Sequence, residues 1–106
     1  MTNLINLVPP GVVSGEHLNT LYRVAREQNY AFPAVNVVST NSINAALEAA
    51  YQCKSPIIIQ LSHSGAAFFM GKGVPLKGHE PSINGAIAAA HYVHVVAKHY
   101  NIPVVL

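Results

Sequence analysis

The sequence has no aspartate, and its acidic residues are four glutamates: Glu16, Glu27, Glu48 and Glu80. Paired-carboxylate chemistry and Asp-anchored histidine triads would have to be built from these glutamates, and none of the four lies in a position suited to such a site. The single cysteine, Cys53, cannot form an internal disulfide, which agrees with a reducing compartment. The composition therefore argues against carboxylate-pair enzymes, triad enzymes and disulfide-stabilised domains.

Charged residues are also scarce. They make up 9% of the 106 residues, whereas an ordinary soluble domain has about 25%. The net charge is only +2, and lysine and arginine are scattered singly, so no basic stripe is available for a nucleic-acid backbone. A domain of this length buries only about 60 to 65% of its unfolded surface, so apolar faces should remain for a partner or more chain to cover.

Long hydrophobic runs are missing as well. The most apolar stretch, residues 86–97, is interrupted by His91 and His94 and is shorter than the roughly 18 residues of a membrane span. The N-terminus, MTNLINLVPPG, lacks the basic start and long apolar core of a signal peptide. We therefore expect a cytoplasmic protein with neither a membrane nor a nucleic acid as its partner.

Apolar residues recur at helical spacing in three segments, and the first of these predicts a helix from about residue 15 to residue 28. Each predicted helix starts near a polar residue that can cap its first turn: Ser14 for the first, Asn41 or Ser42 for the second, and Ser82 for the third. Asn29 and Asn101 are expected to end the first and third helices in the left-handed conformation.

A short apolar run follows each predicted helix, and we predict these runs as strands: Tyr30–Val38, Ile57–Leu61 and Pro103–Leu106. The first run is too apolar to have one face in water, so we predict it as a buried parallel strand. Alternating helices and apolar strands are typical of a parallel sheet, either open and doubly wound or closed as a (β/α)8 barrel. A barrel needs about 250 residues, so residues 1–106 would be an incomplete single domain, about its first third.

Two motifs in the middle of the chain have ordinary explanations that we favour. The glycine-rich segment 62–73 lacks the spacing of a phosphate-binding loop, since Lys72 is followed by Gly73 rather than Ser or Thr, and it is predicted as a flexible connection. Cys53 with His63 as its base is a weak candidate for a nucleophile, because a lone cysteine at a helix end is more often inert.

Two polar residues, Asn36 and Ser62, lie at the ends of the first and second predicted strands. The carboxyl edge of a parallel sheet is where α/β folds bind ligands. Position alone leaves two interpretations for each residue. Both could contact a ligand, or Asn36 could be a turn residue and Ser62 a helix cap.

Several short segments occur in an order that is far more specific than any one of them: AFPAVN at 31–36, SINAALEAA at 42–50, GAAFF and GKG within 65–73, AHYVH at 90–94 and IPVVL at 102–106. Together they closely resemble the start of the class II, metal-dependent fructose-bisphosphate aldolases. The likeness covers most of the chain from about Gly11 onward. The chain departs from many relatives at His63-Ser64, where they have Asn-Gly.

The resemblance implies the N-terminal portion of a (β/α)8 TIM barrel, with about three parallel strands alternating with helices, in an enzyme that is usually a homodimer. It implies reversible cleavage of fructose 1,6-bisphosphate to dihydroxyacetone phosphate and glyceraldehyde 3-phosphate. In the family, a zinc ion stabilises the enediolate as a Lewis acid, and a carboxylate moves the C4 hydroxyl proton. A His-Thr-Asp-His-Cys segment or a close variant supplies these groups, so zinc is expected to be bound beyond Leu106.

The same resemblance assigns Ser62 to a contact with the glyceraldehyde 3-phosphate part of the substrate and Asn36 to an active-site position near it. None of the six histidines aligns with a zinc ligand of the family. The resemblance therefore implies that this chain by itself binds no metal, supplies no catalytic residue and is inactive.

Two other functions stay open on the residues alone. One is a small doubly wound module that binds a phosphorylated metabolite without catalysis, which cooperative folding of the 106 residues as a monomer would favour. The other is a helical metal-binding interaction protein that uses His91, His94 and His99. These histidines share one predicted helix, but no nearby Cys or Asp completes a metal site.

Overall fold

The computed structural model describes residues 4–106, apart from the side chain of Ile5, and it contains a four-stranded parallel sheet with helices between the strands. In chain order the elements are β1 (Gly11–Val12), α1 (Gly15–Glu27), β2 (Ala34–Asn36), α2 (Thr40–Cys53), β3 (Ile57–Gln60), α3 (His63–Met70), α4 (Glu80–Val96) and β4 (Pro103–Val105), with 3-10 helices at Leu4–Asn6 and Ala97–Tyr100. This alternation confirms the predicted α/β class. The first three residues of the predicted domain, 1–106, lie outside the described residues.

The strands are ordered β1-β4-β3-β2, so the three predicted strands are neighbours in the order of the sequence. β3 and β4 agree with their predicted bounds to within one residue. The fourth strand, β1, has only two residues, Gly11 and Val12, which pair with Pro103 and Val104. A two-residue strand is too short to show the alternation from which strands are predicted, so the sequence indicated three of the four strands.

Helices α2 and α4 cover one face of the sheet and form the larger hydrophobic core with it. Its fully buried members include Val37, Ile43, Leu47, Ile59, Val93 and Val104. A smaller cluster packs α1 and the residues before β1 against the opposite face, where it contacts Ile58 and Val105. Ile58 and Ile59 belong to different clusters because successive strand residues point to opposite faces.

The first predicted strand is shorter than expected, and the prediction that it is buried was wrong. Of the predicted run Tyr30–Val38, only Ala34–Asn36 forms β2, and these three residues are exposed, half-buried and exposed in turn. β2 is the last strand in the order of the sheet, and the smaller cluster does not include Ala34 or Asn36. The apolar composition of a run indicates a strand. It does not show whether helices or other segments cover both faces of the sheet at that strand.

A helix occupies most of the segment that the sequence predicts as a flexible connection, residues 62–73. This helix, α3, has Gly65 and Ala66 as its buried residues. Gly85 of α4 lies so close to Ala66 that a side chain at position 85 would overlap the Ala66 carbonyl group. The helix therefore depends on close contact between small residues of α3 and α4, which local apolar periodicity does not reveal.

Two of the three helices begin earlier in the structure than the sequence predicts. α2 begins after Ser39, which forms a capping box with Ser42: the Ser42 amide donates to Ser39 Oγ at 3.2 Å, and the Ser39 amide donates to Ser42 Oγ at 3.0 Å. α4 begins after His79, and the Ser82 hydroxyl donates to the His79 carbonyl oxygen at 3.0 Å. Ser14 precedes α1 as predicted but makes no side-chain capping bond. In sequence, a serine in the first turn of a helix is similar to a capping serine. The predicted caps of the second and third helices therefore lie inside the first turns of α2 and α4.

The helix ends agree with the sequence. Asn29 and Asn101 both adopt left-handed backbone angles, with φ of 58° and 59°, at the ends of the first and third predicted helices. No helix within residues 4–106 is long and apolar enough to cross a membrane.

The same substitution at two tyrosines should have opposite effects on stability. The Tyr92 hydroxyl donates to Asn44 Oδ1 at 2.7 Å and joins α4 to α2, whereas the buried Tyr30 hydroxyl has no partner among the described residues. We expect Tyr92→Phe to lower the free energy of unfolding by about 1 kcal/mol, and Tyr30→Phe to leave it unchanged or raise it. Urea denaturation checks both, with the exposed Tyr51→Phe as a control. Equal losses at positions 30 and 92 would contradict this account.

Candidate functional site

The structure brings the ends of β2 and β3 together at one edge of the sheet. The two strands are parallel neighbours, with Asn36 opposite Gln60, and the Val37 amide donates to the Gln60 carbonyl oxygen at 3.0 Å. Ser62 lies two residues beyond Gln60. Asn36 and Ser62 therefore lie at the same, carboxyl edge of the sheet, and both are exposed.

Ser62 is the N-cap residue of α3. Its Oγ accepts a hydrogen bond from the Gly65 amide at 2.9 Å and lies 3.4 Å from Ser64 Oγ. The structure thus supports the helix-cap interpretation of Ser62, and the capping bond leaves the hydroxyl able to contact a ligand. A hydroxyl that accepts one hydrogen bond keeps its own proton to donate, and the capping bond fixes the direction of the oxygen.

Gly65 connects the first turn of α3 to the end of β2. A Cβ atom at this position would lie 3.0 Å from Ser62 Oγ and 3.3 Å from the carbonyl oxygen of Val37, the residue after Asn36. A side chain at position 65 would press against both of these atoms. Glycine therefore allows the turn that carries Ser62 to lie directly against the end of the strand that carries Asn36.

The sequence analysis missed Gln60, which belongs to the same edge. It is the pairing partner of Asn36 and is exposed, whereas its neighbour Ile59 is completely buried. Alternation along a strand places Gln60 on the same face as Ile58, away from the larger core. The available signal was a single polar residue at the end of an otherwise apolar strand.

The edge therefore presents two amides and one hydroxyl, from Asn36, Gln60 and Ser62. All three are neutral groups that can both donate and accept hydrogen bonds, which suits recognition of substrate hydroxyl or phosphate oxygens. None of them can act as a general acid or base near neutral pH, and all four glutamates of the chain lie on α1, α2 or α4. This edge can bind and orient a ligand, but it does not supply the proton transfer.

The described residues do not fit a resident zinc ion. Across residues 4–106, no group of three His, Cys, Asp or Glu side chains is placed to hold a metal ion. His91 and His94 of α4 and His99 of the following 3-10 helix are exposed and form no such group. A structural zinc site takes four protein ligands and a catalytic site takes three, so these residues by themselves complete neither kind of site.

The weak candidate for a nucleophile and its base, Cys53 with His63, is not supported by the structure. Cys53 is an exposed, free thiol at the end of α2. The His63 ring instead contacts His79, with Nε2 of His63 at 3.1 Å from Nδ1 of His79. His63 therefore has a different partner from the one that a nucleophile–base pair would require.

Comparisons with known proteins agree with this geometry. Residues 16–106 match the family described as fructose-bisphosphate aldolase class-II. The chain is 48% identical to the fructose-bisphosphate aldolase of Edwardsiella ictaluri and 50% identical to that of Haemophilus influenzae, and both alignments cover 100% of this chain and 30% of the relative. The chain thus spans about 30% of the length of these curated relatives.

A solved structure gives the same result for the fold. The crystal structure of fructose-bisphosphate aldolase from Campylobacter jejuni superposes with a TM-score of 0.88 at 46% identity, over 98% of this chain and 29% of that one. The fold shared with it is part of a TIM barrel, which confirms the barrel interpretation over the open doubly wound sheet.

Proposed function

Because the chain belongs to the class-II fructose-bisphosphate aldolase family, we propose that it forms part of an enzyme that reversibly cleaves fructose 1,6-bisphosphate into dihydroxyacetone phosphate and glyceraldehyde 3-phosphate. The observation that carries this proposal is the family match over residues 16–106, joined to a polar strand edge suited to a sugar phosphate. Family members are generally metal-dependent.

Within that enzyme, the residues of this chain bind and orient the substrate. Ser62 contacts the glyceraldehyde 3-phosphate part, and Asn36 lies near it in the active site. Gln60 shares the exposed face of Asn36 and adds a second amide to the same edge. The support for these roles is that all three groups can hydrogen-bond to hydroxyl or phosphate oxygens at the sheet edge where barrel enzymes bind ligands.

The remaining parts of the active site come from outside this chain. Zinc is held by residues beyond Leu106 in the full-length enzyme, the general base is a carboxylate that is also supplied there, and the chain alone is inactive. The full-length enzyme is a cytoplasmic homodimer that serves glycolysis and gluconeogenesis. The support for placing these groups elsewhere is that the chain spans only about 30% of the length of its curated relatives.

Substitution of Ser62 tests the proposal, and Ser39 gives a matched control because each serine caps a helix through a side-chain bond. We expect Ser62→Ala in the full-length gene product to raise KM for fructose 1,6-bisphosphate by at least about tenfold, from the loss of a hydrogen bond to a charged group. Both Ser62→Ala and Ser39→Ala should lower the free energy of unfolding by about 1 kcal/mol, but Ser39→Ala should leave KM unchanged.

A second variant separates capping from substrate contact. Glycine retains most of the helix-capping effect of serine, so Ser62→Gly should cost only a few tenths of a kcal/mol in stability while raising KM as Ser62→Ala does. Steady-state kinetics and urea denaturation measure the two effects. A normal KM in both Ser62 variants would refute the assigned contact, and absence of aldol cleavage by the wild-type gene product would refute the proposed function.

A further inference from the structure

An imidazole pair joins the first turn of α3 to the start of α4. Nε2 of His63 lies 3.1 Å from Nδ1 of His79, and the two rings meet edge to face, with centroids 5.2 Å apart and an angle of 89° between their planes. The two residues are 16 positions apart, and the segment between them contains the rest of α3 and the connecting residues 71–78. This contact is therefore tertiary and does not arise within one helix.

The pair lies directly beside the candidate substrate residue. His63 is the first residue of α3 and follows Ser62, and His79 is the N-cap residue of α4. Further along, α3 is held against α4 where Gly85 meets Ala66. Residues 62–64 are all exposed and are not covered by the core. The contact between the two rings therefore connects this exposed turn to α4.

We propose that His79 is a positioning residue that acts through His63 to hold the Ser62 hydroxyl in its substrate-binding orientation, and that protonation of the pair releases it. The inference rests on the proposed function, because it assigns a regulating contact to the same site. Holding His63 fixes the backbone that immediately follows Ser62. The capping bond from the Gly65 amide to Ser62 Oγ then keeps the hydroxyl in one direction.

The pH dependence follows from the chemistry of the hydrogen bond. One ring nitrogen must accept while the other donates, so the bond forms when at least one imidazole is neutral and is lost when both carry two N–H groups. Imidazole is the side chain that ordinarily changes charge between about pH 5 and 8. Protonation of both rings therefore replaces an attraction between α3 and α4 with a repulsion between two cations.

Few other charged groups are near the pair. α3 has no titratable residue besides His63, α4 has Glu80 next to His79, and the connection carries Lys72 and Lys77. The Glu80 amide donates to the Lys77 carbonyl oxygen at 3.2 Å, which is a backbone contact. Within residues 4–106, the only ion pair joins Arg23 to Glu27 on α1, and neither ring forms an ion pair with a carboxylate.

Two substitutions of His79 distinguish positioning from simple packing. Asparagine places an amide near the position of Nδ1 and can donate or accept, so His79→Asn keeps a bond to His63 in either charge state, whereas His79→Ala removes it. In the full-length gene product at pH 8, we expect His79→Ala to raise KM for fructose 1,6-bisphosphate about three- to tenfold and His79→Asn to restore it. The control is His91→Asn, at an exposed histidine on the same helix, which should match the wild type.

The pH profile is the decisive measurement. Between pH 8 and pH 5.5, KM of the wild type should rise about three- to tenfold relative to KM of His79→Asn, because only the wild type loses the contact. Taking the ratio of the two proteins at each pH removes the titration of the substrate and of residues that they share. A constant ratio would overturn the pH-dependent release.

A readout without catalysis keeps the positioning proposal separate from the proposed function. Hydrogen exchange of the Gly65 amide reports on its bond to Ser62 Oγ. At pH 7 this amide should exchange about three- to tenfold faster in His79→Ala than in His79→Asn or the wild type. Equal exchange in all three proteins would overturn the positioning role. Faster exchange in a gene product without aldolase activity would retain the role of His79 and refute only the proposed function.

Discussion

Removal of divalent metal from the full-length gene product is expected to reduce the cleavage of fructose 1,6-bisphosphate by about a thousandfold or more. Breaking the carbon–carbon bond leaves negative charge on the substrate, and this charge requires an electrophile. The edge formed by Asn36, Gln60 and Ser62 has only neutral amides and a hydroxyl. Treatment with a chelator followed by readdition of zinc measures the effect, and readdition should restore the rate.

A lysine that forms a Schiff base with the substrate is the alternative electrophile, and this chain does not favour it. Its four lysines, Lys54, Lys72, Lys77 and Lys98, are all exposed, whereas a nucleophilic lysine is activated by desolvation or by another cation. Borohydride with substrate should therefore trap no covalent adduct on any of these four lysines. The 106-residue chain with added zinc should also show no cleavage. Activity that survives chelation, together with a trapped adduct, would refute the metal-dependent assignment.

Substitution of Gly85 by alanine is expected to be the most destabilising single change among the glycines of the chain. The added methyl group would overlap the carbonyl group of Ala66 and also meet its Cα atom at 3.3 Å. These are backbone atoms and cannot rotate away, so α3 and α4 would have to separate. We expect a loss of at least about 3 kcal/mol in the free energy of unfolding, measured by urea denaturation of the full-length gene product.

Gly73 provides the matched control for this substitution. A Cβ atom at position 73 would meet nothing within 4 Å, and the residue does not have a positive φ. Gly73→Ala should therefore change stability by no more than about 0.5 kcal/mol. If Gly85→Ala proved as mild as Gly73→Ala, the close packing between α3 and α4 would be wrong.

Gly85→Ala should also affect the site, because α3 carries Ser62 at its start. A displaced α3 would move the first turn away from the end of β2, where Gly65 lies against the Val37 carbonyl oxygen. At temperatures where the variant remains folded, we expect its KM for fructose 1,6-bisphosphate to rise in parallel with that of Ser62→Ala. Gly73→Ala should leave this constant unchanged.

The parts of the fold that were predictable from the sequence are those with a clear period or a local stop signal. α2 shows a regular apolar stripe in sequence, and β3 and β4 are short apolar runs bounded by polar or turn residues. Asn29 and Asn101 marked helix ends correctly because the left-handed conformation is a local preference of asparagine. α3 was missed because small residues packed against another helix stabilise it, and a stripe of large apolar residues does not.

The candidate site could also be predicted in part from the sequence. Asn36 and Ser62 could be selected because each lies at the end of an apolar run predicted as a strand, and parallel topology brings such ends to one edge. The partnership of Asn36 with Gln60 required the register between β2 and β3, which residue types alone do not fix. The contact between His63 and His79 required the path of the segment 71–79, since no periodic pattern relates residues 16 positions apart.

The sequence by itself determined the α/β class, the alternation of helices with parallel strands and the two strand-end residues, because these depend on local apolar spacing and on where strands stop. Tertiary structure alone decided that β2 is exposed, that α3 exists, that Gln60 shares the edge with Asn36, and that the two imidazoles meet. Those features depend on which surfaces lie against each other across long separations in the chain, and burial or hydrogen bonding between such surfaces leaves no fixed period in the sequence.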